Sequence, residues 1–525
     1  MLPSIYFSNK LTFTNVGDNI TYIMQAESLY YDRDFKLEKK DFERMYGEYP
    51  QIVKKLPILS KKTTDGTIAF GKPVYITLYY ALFTPIAHPV YRGLAANLIL
   101  SLVLFMITAK VIKDKKLFVL FCVLMFFSQF HFYLPQIHPE IFTNVLVLVA
   151  SLPLLLDSKN RWFYILSGFM GGILVFEKQM AVFFPLVTLF YLFIKNRNKS
   201  YIYLFSLISF LLVGFGINYV LHGDAIAYQG LRGLTKFDGN NMVFAPQGMI
   251  KPFTFPLAYV ERFKEYFFGK IIGIFVYNPG FALFVSVFFY LVSKIKSKAT
   301  KLTNLIAFLP VFFYLGIYFF AVDQAFSYGG ATTIGNRYFF QIYFYVLLVA
   351  IMIFNKAVSK RTSKLIFYAL AITVIIFSAL IYRPFYRNYS RAIMDHFVIA
   401  LNNEKTFGYF PLELSYYQVV LSDLVSENKI DDKIFILNNA RAVVQEGNGK
   451  WLPSGVSKVI EISENGQYIS PKRLDNPTNS KLKANFKYKI KNTVKLNHLY
   501  SKGPSVILFE IDCKGDQKMC ALIKN

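Results

Sequence analysis

Acidic side chains are scarce in this chain: Asp and Glu number 32 against 58 Lys and Arg, which leaves a net charge of +26 over 525 residues. A basic surface attracts phosphate polymers. Much of this excess sits in short turns between apolar runs, where membrane topology accounts for it, so no nucleic-acid partner is expected. Cysteine is scarcer still, at three, too few for a disulfide framework. Cys122 lies in an apolar run and reads as inert packing. Cys513 and Cys520 close a short polar loop and are a candidate disulfide if that end meets an oxidising compartment, the alternative being two free thiols. Residues 1–16 hold no apolar run able to span a membrane or to serve as a signal-peptide core. A His and Cys metal cluster, a Walker loop, a Ser-His-Asp order, internal repeats and low-complexity tracts are all missing, and ATP-driven transport therefore lacks support.

Apolar surface is what the chain has in abundance. Hydrophobic residues make up 54% and aromatics 18%, too apolar for an ordinary soluble protein. A bilayer core of roughly 30 Å takes about 20 apolar residues of helix. Ten runs approach that size, near 91–109, 117–134, 140–156, 162–176, 180–194, 201–221, 271–293, 303–321, 338–354 and 365–382. The expected fold is mostly α: a polytopic membrane helical bundle with a small C-terminal α/β extracytoplasmic domain.

The short connections alternate in charge. Five carry the basic residues, around Lys110–Lys116, Lys159–Arg161, Lys195–Lys199, Lys294–Lys301 and Lys356–Lys364, and by the positive-inside rule these face the cytoplasm. Residues 1–90, the turn Gln136-Ile137-His138-Pro139-Glu140, the turn Glu177-Lys178-Gln179, the loop 222–270, the loop 322–336 and everything after Tyr382 then face out. The chain accordingly reads as a first outer segment 1–90, a helical bundle 91–382 and a soluble domain 383–525, in a bacterial inner membrane. An outer N-terminus without a leading span points to a missing first helix, either because the start codon is assigned too late or because this chain lacks it. The run from Lys72 to Ala87, with Pro73 at its start and Pro85 near its end, reads as a half-membrane or interfacial helix. In the tail, 409–426 reads as a helix and 433–437, 458–462 and 505–511 as short strands.

The residues able to carry chemistry gather on the outer side. Asp18, after Gly17 and before the helical stretch from Asn19 to Tyr31, is suited to deprotonate an acceptor hydroxyl or to hold a divalent metal such as Mg or Mn; it equally suits a helix N-cap. Asp32-Arg33-Asp34 reads as a solvated turn or a site. Lys72, at the lip of an apolar run, can meet a lipid phosphate or snorkel. Glu140, in the first turn of a span after His138-Pro139, is either functional or a partner for the positive helix end. Glu177-Lys178 reads as a mutual ion pair or as part of a site. Arg337, after Gly329-Gly330 and Gly335, can grip phosphate with two parallel hydrogen bonds or anchor at the interface beside Tyr338.

Together these stretches resemble a known family. Gly17-Asp18 with Tyr22, Ser28-Leu29, Asp32-Arg33-Asp34-Phe35, Gly71-Lys72-Pro73, His138-Pro139-Glu140 and Gly335-Asn336-Arg337-Tyr338 occur in that order. The series is similar to the integral-membrane glycosyltransferases of the C-type fold, which include the aminoarabinose transferase to lipid A and the protein O-mannosyltransferases. The resemblance covers roughly residues 17–380. It implies a polyprenyl-phosphate sugar donor, an extracytoplasmic lipid, glycan or protein acceptor, Asp18 as catalytic loop aspartate, Lys72 as contact to the carrier phosphate and Glu140 as second acidic residue. Asp18 and Glu140 would be the ligands of any divalent metal, although many members carry Asp-Glu where this chain has Asp18-Asn19. Arg337 and Lys178 join the expected phosphate site by their chemistry, with Tyr22, Asp34 and His138 as further candidates. The rival readings are a flippase or transporter of lipid-linked sugars, a glycan ligase using a lipid-pyrophosphate donor, and a non-catalytic scaffold.

Overall fold

The computed structural model describes residues 18–48, 58–87, 91–134, 137–225, 231–237, 241–246, 263, 266–268, 274–294, 305–320, 337–357 and 361–387, together with six strands between 434 and 511. The chain divides into two units, 1–382 and 383–525. The first is mostly helical. Its longer helices are α1 (Asp18–Tyr31), α2 (Lys39–Glu48), α3 (Val74–Ala81), α4 (Arg92–Val111), α5 (Lys115–Phe126), α6 (Pro139–Leu155), α7 (Arg161–Glu177), α8 (Phe183–Lys195), α9 (Arg197–His222), α10 (Gly280–Lys294), α11 (Leu309–Phe320), α12 (Tyr343–Ala357) and α13 (Arg361–Arg387).

Every one of the ten apolar runs contains helix. Two of them, α4 and α9, are long and apolar enough to cross a membrane; the apolar part of α13, Lys364–Ser378, and the remaining apolar helices are shorter. Breaks divide several runs that read as continuous. After α5, Ser128 turns its hydroxyl to the Met125 carbonyl and receives the Phe130 amide, which starts the separate turn Phe130–Tyr133. Asn278-Pro279 separates Ile274–Tyr277 from α10, since proline cannot continue the hydrogen-bond ladder. The turn Arg337–Phe340 likewise stands apart from α12.

The bundle is tied by close backbone contact. Gly168 and Gly172, one helical turn apart on α7, face α9 so tightly that a Cβ would lie 2.3 Å from the Tyr203 carbonyl oxygen at Gly168 and 2.4 Å from that of Leu207 at Gly172. Small residues four apart allow membrane helices to approach in this way. On its other side α9 shows an apolar stripe: Tyr201, Phe205, Ile208, Leu212 and Tyr219 are all exposed, and three-to-four-residue spacing places them on one helical face.

Residues 1–90 and 222–270, for which the sequence suggests no strand, contribute two strands each to one sheet. Strands β1 (Ile58–Lys62), β2 (Ile68–Phe70), β3 (Leu231–Phe237) and β4 (Met242–Pro246) form one antiparallel sheet ordered β2-β1-β3-β4, with Ser60 opposite Gly233. The β1–β2 turn explains itself locally. Gly66 takes φ +87°, a conformation open to glycine, and Asp65 accepts the Thr67 amide at 3.1 Å and the Thr63 and Thr67 hydroxyls. These donors hold the Asp65 carboxyl down to about 2. The sheet is pinned to the end of α9 by Lys61, whose Nζ lies 3.0 Å from Asp224 Oδ2 with both side chains buried.

In the second unit, β5 (Ile434–Asn438), β6 (Val459–Ile462), β7 (Tyr468–Pro471), β8 (Leu482–Lys483), β9 (Tyr488–Lys495) and β10 (Ser505–Ile511) form a mixed sheet ordered β8-β7-β6-β5-β10-β9, in which only β5 and β6 pair in parallel. Three of these strands match the expected ones to within a residue. The expected helix 409–426, the Cys513–Cys520 pair and the loop 322–336 lie outside the described residues, whereas Cys122 is a half-buried free thiol.

Candidate functional site

The expected site residues fall on five separate stretches, and local structure explains where most of them arrive. Lys72 precedes α3, which starts at Pro73 as N-cap with φ −62° and ψ 158°. Gln25 of α1 donates to the Lys72 carbonyl at 3.0 Å, and Gly71 donates to Leu59 of β1 at 3.1 Å, so helix and sheet fix the lysine's backbone from two sides. Glu177, the last residue of α7, accepts the Tyr75 and Ile76 amides at 2.7 and 3.1 Å. A carboxylate suits the unpaired amides and positive end of a helix. Glu177 and Lys178 therefore serve different elements: the glutamate caps α3, while Lys178 Nζ stands 5.2 Å over the Tyr338 ring.

His138 and Glu140 open α6. The His138 carbonyl accepts the Tyr80 hydroxyl at 3.0 Å; the same hydroxyl lies 2.8 Å from Asn97, whose amide donates to the Tyr133 and Leu134 carbonyls at 3.1 Å each. Buried amides thus clasp the bend before α6. His138 Nδ1 meets Glu140 Oε2, and Glu140 Oε1 accepts Gln341 Nε2 at 3.2 Å. Asn144, one turn along α6, donates to the Phe340 carbonyl at 2.7 Å and accepts the Phe344 amide at 3.2 Å. That staple carries the Arg337–Phe340 turn to the start of α6, and there Arg337 Nη1 lies 3.0 Å from His138 Nε2 while Nη2 lies 3.2 Å from the Tyr338 hydroxyl.

The result is one continuous cluster. Lys72 Nζ stands 4.9 Å over the Tyr22 ring of α1, Tyr22 meets the His138 ring edge-on at 6.2 Å, His138 touches Arg337, Arg337 touches Tyr338, and Tyr338 carries Lys178. Three cations from distant parts of the chain thus border one set of tyrosine rings. Such an arrangement can take an anion, since cations at a water-poor boundary hold phosphate more strongly than in bulk water.

The other candidates stand differently. Asp18 is the first residue of α1, one turn before Tyr22, and its side chain lies outside the described residues. Asp34 is not in the cluster: its carboxylate accepts the Ser28 hydroxyl and the Lys36 amide, both at 3.1 Å, and closes the turn after α1. Asp32 pairs with Arg44 and Lys40 beside it. Among the described residues no three His, Cys, Asp or Glu side chains converge as they would around a metal ion. Sequence reasoning missed Gln25, Tyr80, Asn97, Asn144 and Gln341, all of them buried. Three of them, Asn97, Asn144 and Gln341, are amides inside apolar runs, and polarity at that depth was the signal available. No family model, no curated protein and no solved structure matches the chain.

Proposed function

We propose that this protein is a polytopic membrane glycosyltransferase of the C-type fold that moves a sugar from a polyprenyl-phosphate donor to an extracytoplasmic acceptor. The observation that carries this reading is the convergence of Lys72, Lys178 and Arg337 on Tyr22, His138 and Tyr338. The apolar stripe of α9 and the tight Gly168–Gly172 contact favour a lipid surround.

In the proposed reaction an acceptor hydroxyl oxygen attacks the anomeric carbon. Its proton passes to the Asp18 carboxylate, the role the family resemblance gives that residue, and the bond from anomeric carbon to phosphate oxygen breaks with its electron pair leaving on the phosphate. Attack opposite the leaving group inverts the anomeric centre. Negative charge grows on the departing phosphate, where Lys72, Lys178 and Arg337 supply fixed positive charge without reorganisation. One cation about 4 Å from that charge contributes roughly 4 kcal/mol at an effective dielectric of about 20. Glu140 has its two oxygens turned to His138 and Gln341.

The test is to incubate the full-length protein in lipid nanodiscs with a panel of radiolabelled polyprenyl-phosphate sugars and extracytoplasmic acceptors. Release of free polyprenyl phosphate with sugar on the acceptor is expected, and Asp18→Asn should abolish it. Translocation of intact donor without cleavage would replace this reading with a flippase. Full transfer by Asp18→Asn would remove Asp18 from the chemistry.

A further inference from the structure

Gln25 lies in the middle of α1 and is wholly buried, at 0% exposure. Its Nε2 donates to the Lys72 carbonyl at 3.0 Å, while its Oε1 is buried and meets no hydrogen-bond donor among the described residues. On the reading of Lys72 as a contact to a lipid phosphate, we propose that Gln25 Oε1 is the part of the site that recognises the sugar, by accepting a hydrogen bond from one of its hydroxyl groups.

The carbonyl it meets decides which way the amide faces. A backbone carbonyl oxygen accepts and never donates, so the amide atom 3.0 Å from it must be the NH₂ and the remaining atom is the oxygen. That remaining atom is therefore an acceptor. Native structures pair nearly all buried acceptors, and the polar side chains one turn to either side of Gln25 follow this rule. The Thr21 hydroxyl accepts the Leu59 amide at 3.1 Å, and the Ser28 hydroxyl donates to the Asp34 carbonyl at 3.2 Å and to its carboxylate at 3.1 Å. Both are committed to the fold. Gln25 commits its NH₂ and leaves its oxygen for a ligand.

Position links that oxygen to the cation cluster. Tyr22, three residues earlier on the same side of α1, carries Lys72 Nζ 4.9 Å over its ring. Asp18, at the first position of the helix, precedes Gln25 by two turns, about 10 Å along the same stripe. The helix thus sets in one row the position to which the family resemblance gives the proton, the ring under the ammonium, and the spare amide oxygen. Lys72 and Gln25 call for opposite ligands. An ammonium takes a phosphate, whereas an amide oxygen repels phosphate oxygens and takes an O–H. A sugar joined to a phosphate offers both at neighbouring places. No bond is made or broken at Gln25, which acts on specificity, and because its NH₂ also holds the Lys72 backbone, one amide couples recognition of the sugar to the grip on the phosphate.

The test uses the full-length protein in nanodiscs with no acceptor present and measures Kd for polyprenyl monophosphate, polyprenyl-phosphate glucose and polyprenyl-phosphate mannose. The ratio of a glycosyl Kd to the monophosphate Kd isolates the sugar. Gln25→Met keeps the length of the side chain but has neither the N–H nor the oxygen. Losing the bond to the Lys72 carbonyl weakens all three probes alike, so a purely supporting Gln25 leaves the ratio where it is. The expected result is a ratio raised roughly tenfold in Gln25→Met for at least one of the two sugars, the size of one hydrogen bond to a buried acceptor. Wild type supplies a second arm that does not depend on the variant folding. Among the mono-deoxy forms of whichever sugar binds more tightly, at least one should bind roughly tenfold more weakly than its parent, and that form should show no further rise in ratio in Gln25→Met. An unchanged ratio in Gln25→Met overturns the proposal and leaves Gln25 Oε1 to a buried water; so does a set of deoxy forms that all bind like their parent. If Lys72→Ala binds the monophosphate as tightly as wild type, the reading of Lys72 fails instead, and the ratio still decides Gln25. Wild type that binds none of the probes overturns both.

Discussion

The Lys61–Asp224 pair gives the firmest energetic prediction, because both charges are buried and each removes the other's desolvation penalty. Their side chains are 0% and 3% exposed, with Nζ and Oδ2 3.0 Å apart. Burial pulls the Lys61 ammonium below its ordinary 10.5, and the hydrogen bond to Asp224 pushes it back up. Lys61→Met keeps the aliphatic stem but leaves a lone buried carboxylate; Asp224→Leu leaves a lone buried ammonium. Each single change should cost about 3–5 kcal/mol, whereas the double variant should lie within about 2 kcal/mol of wild type or above it. The positive coupling is the diagnostic. The assay is unfolding of the purified protein in a fixed detergent, with hydrogen exchange read at the β1 and β3 amides. The pH dependence has a definite sign as well. In Asp224→Leu burial acts on Lys61 without its partner, so the unfolded chain binds more protons than the folded one on the alkaline side. Stability of that variant should then rise with pH toward the ordinary 10.5. A double variant as unstable as the sum of the singles would show that the pair does not anchor the sheet.

Four further expectations follow from geometry already described. Gly168→Ala and Gly172→Ala would drive a methyl into the Tyr203 and Leu207 carbonyls, each costing about 1–3 kcal/mol, to be read as a lowered unfolding temperature; unchanged stability would mean that α7 and α9 do not pack this closely. Asn97→Ala strips a partner from the Tyr80 hydroxyl and from two carbonyls and should cost about 2–4 kcal/mol, more than Tyr80→Phe in the same unfolding measurement. Arg337→Lys keeps the charge but loses the fork that reaches His138 and Tyr338 together, so binding of polyprenyl monophosphate should fall at least roughly tenfold. The Asp65 carboxyl, held from its ordinary 3.8 down to about 2, stabilises the β1–β2 turn above the unfolded value; that contribution should fade as pH falls through about 2 and be absent in Asp65→Asn, as followed by exchange at the Thr67 amide.

What could be read from the sequence was whatever depends on composition and local order. Ten apolar runs gave helical stretches because long apolar segments leave the backbone few alternatives, and the C-terminal strands at 434–438, 459–462 and 505–511 showed as short β-branched and aromatic clusters. Lys72, Lys178, His138, Glu140 and Arg337 were visible as charges beside apolar segments, and the structure brings them to one cluster. Asp34 looked similar on paper but spends its carboxylate on its own turn, the commoner fate of an aspartate after a helix. The β1–β3 pairing was illegible because each strand is short and finds its partner about as far away as Ser60 is from Gly233, 173 residues. Gln341 and Asn144 were illegible for a related reason: their roles are defined only by what α6 presents to them.

That distant pairing has a consequence for biosynthesis. Ser60 and Lys61 find their strand partners at Gly233 and Arg232, and β1 in turn steadies the backbone that leads to Lys72. While the nascent chain is still short of β3, the edge of β1 that β3 will cover has nothing to pair with, an interval in which an open strand invites misassembly. The β1 edge and the backbone it steadies ahead of Lys72 therefore settle only after α9 has been made and the second hairpin has closed, and a chain halted before residue 231 would carry its early helices with that edge still open.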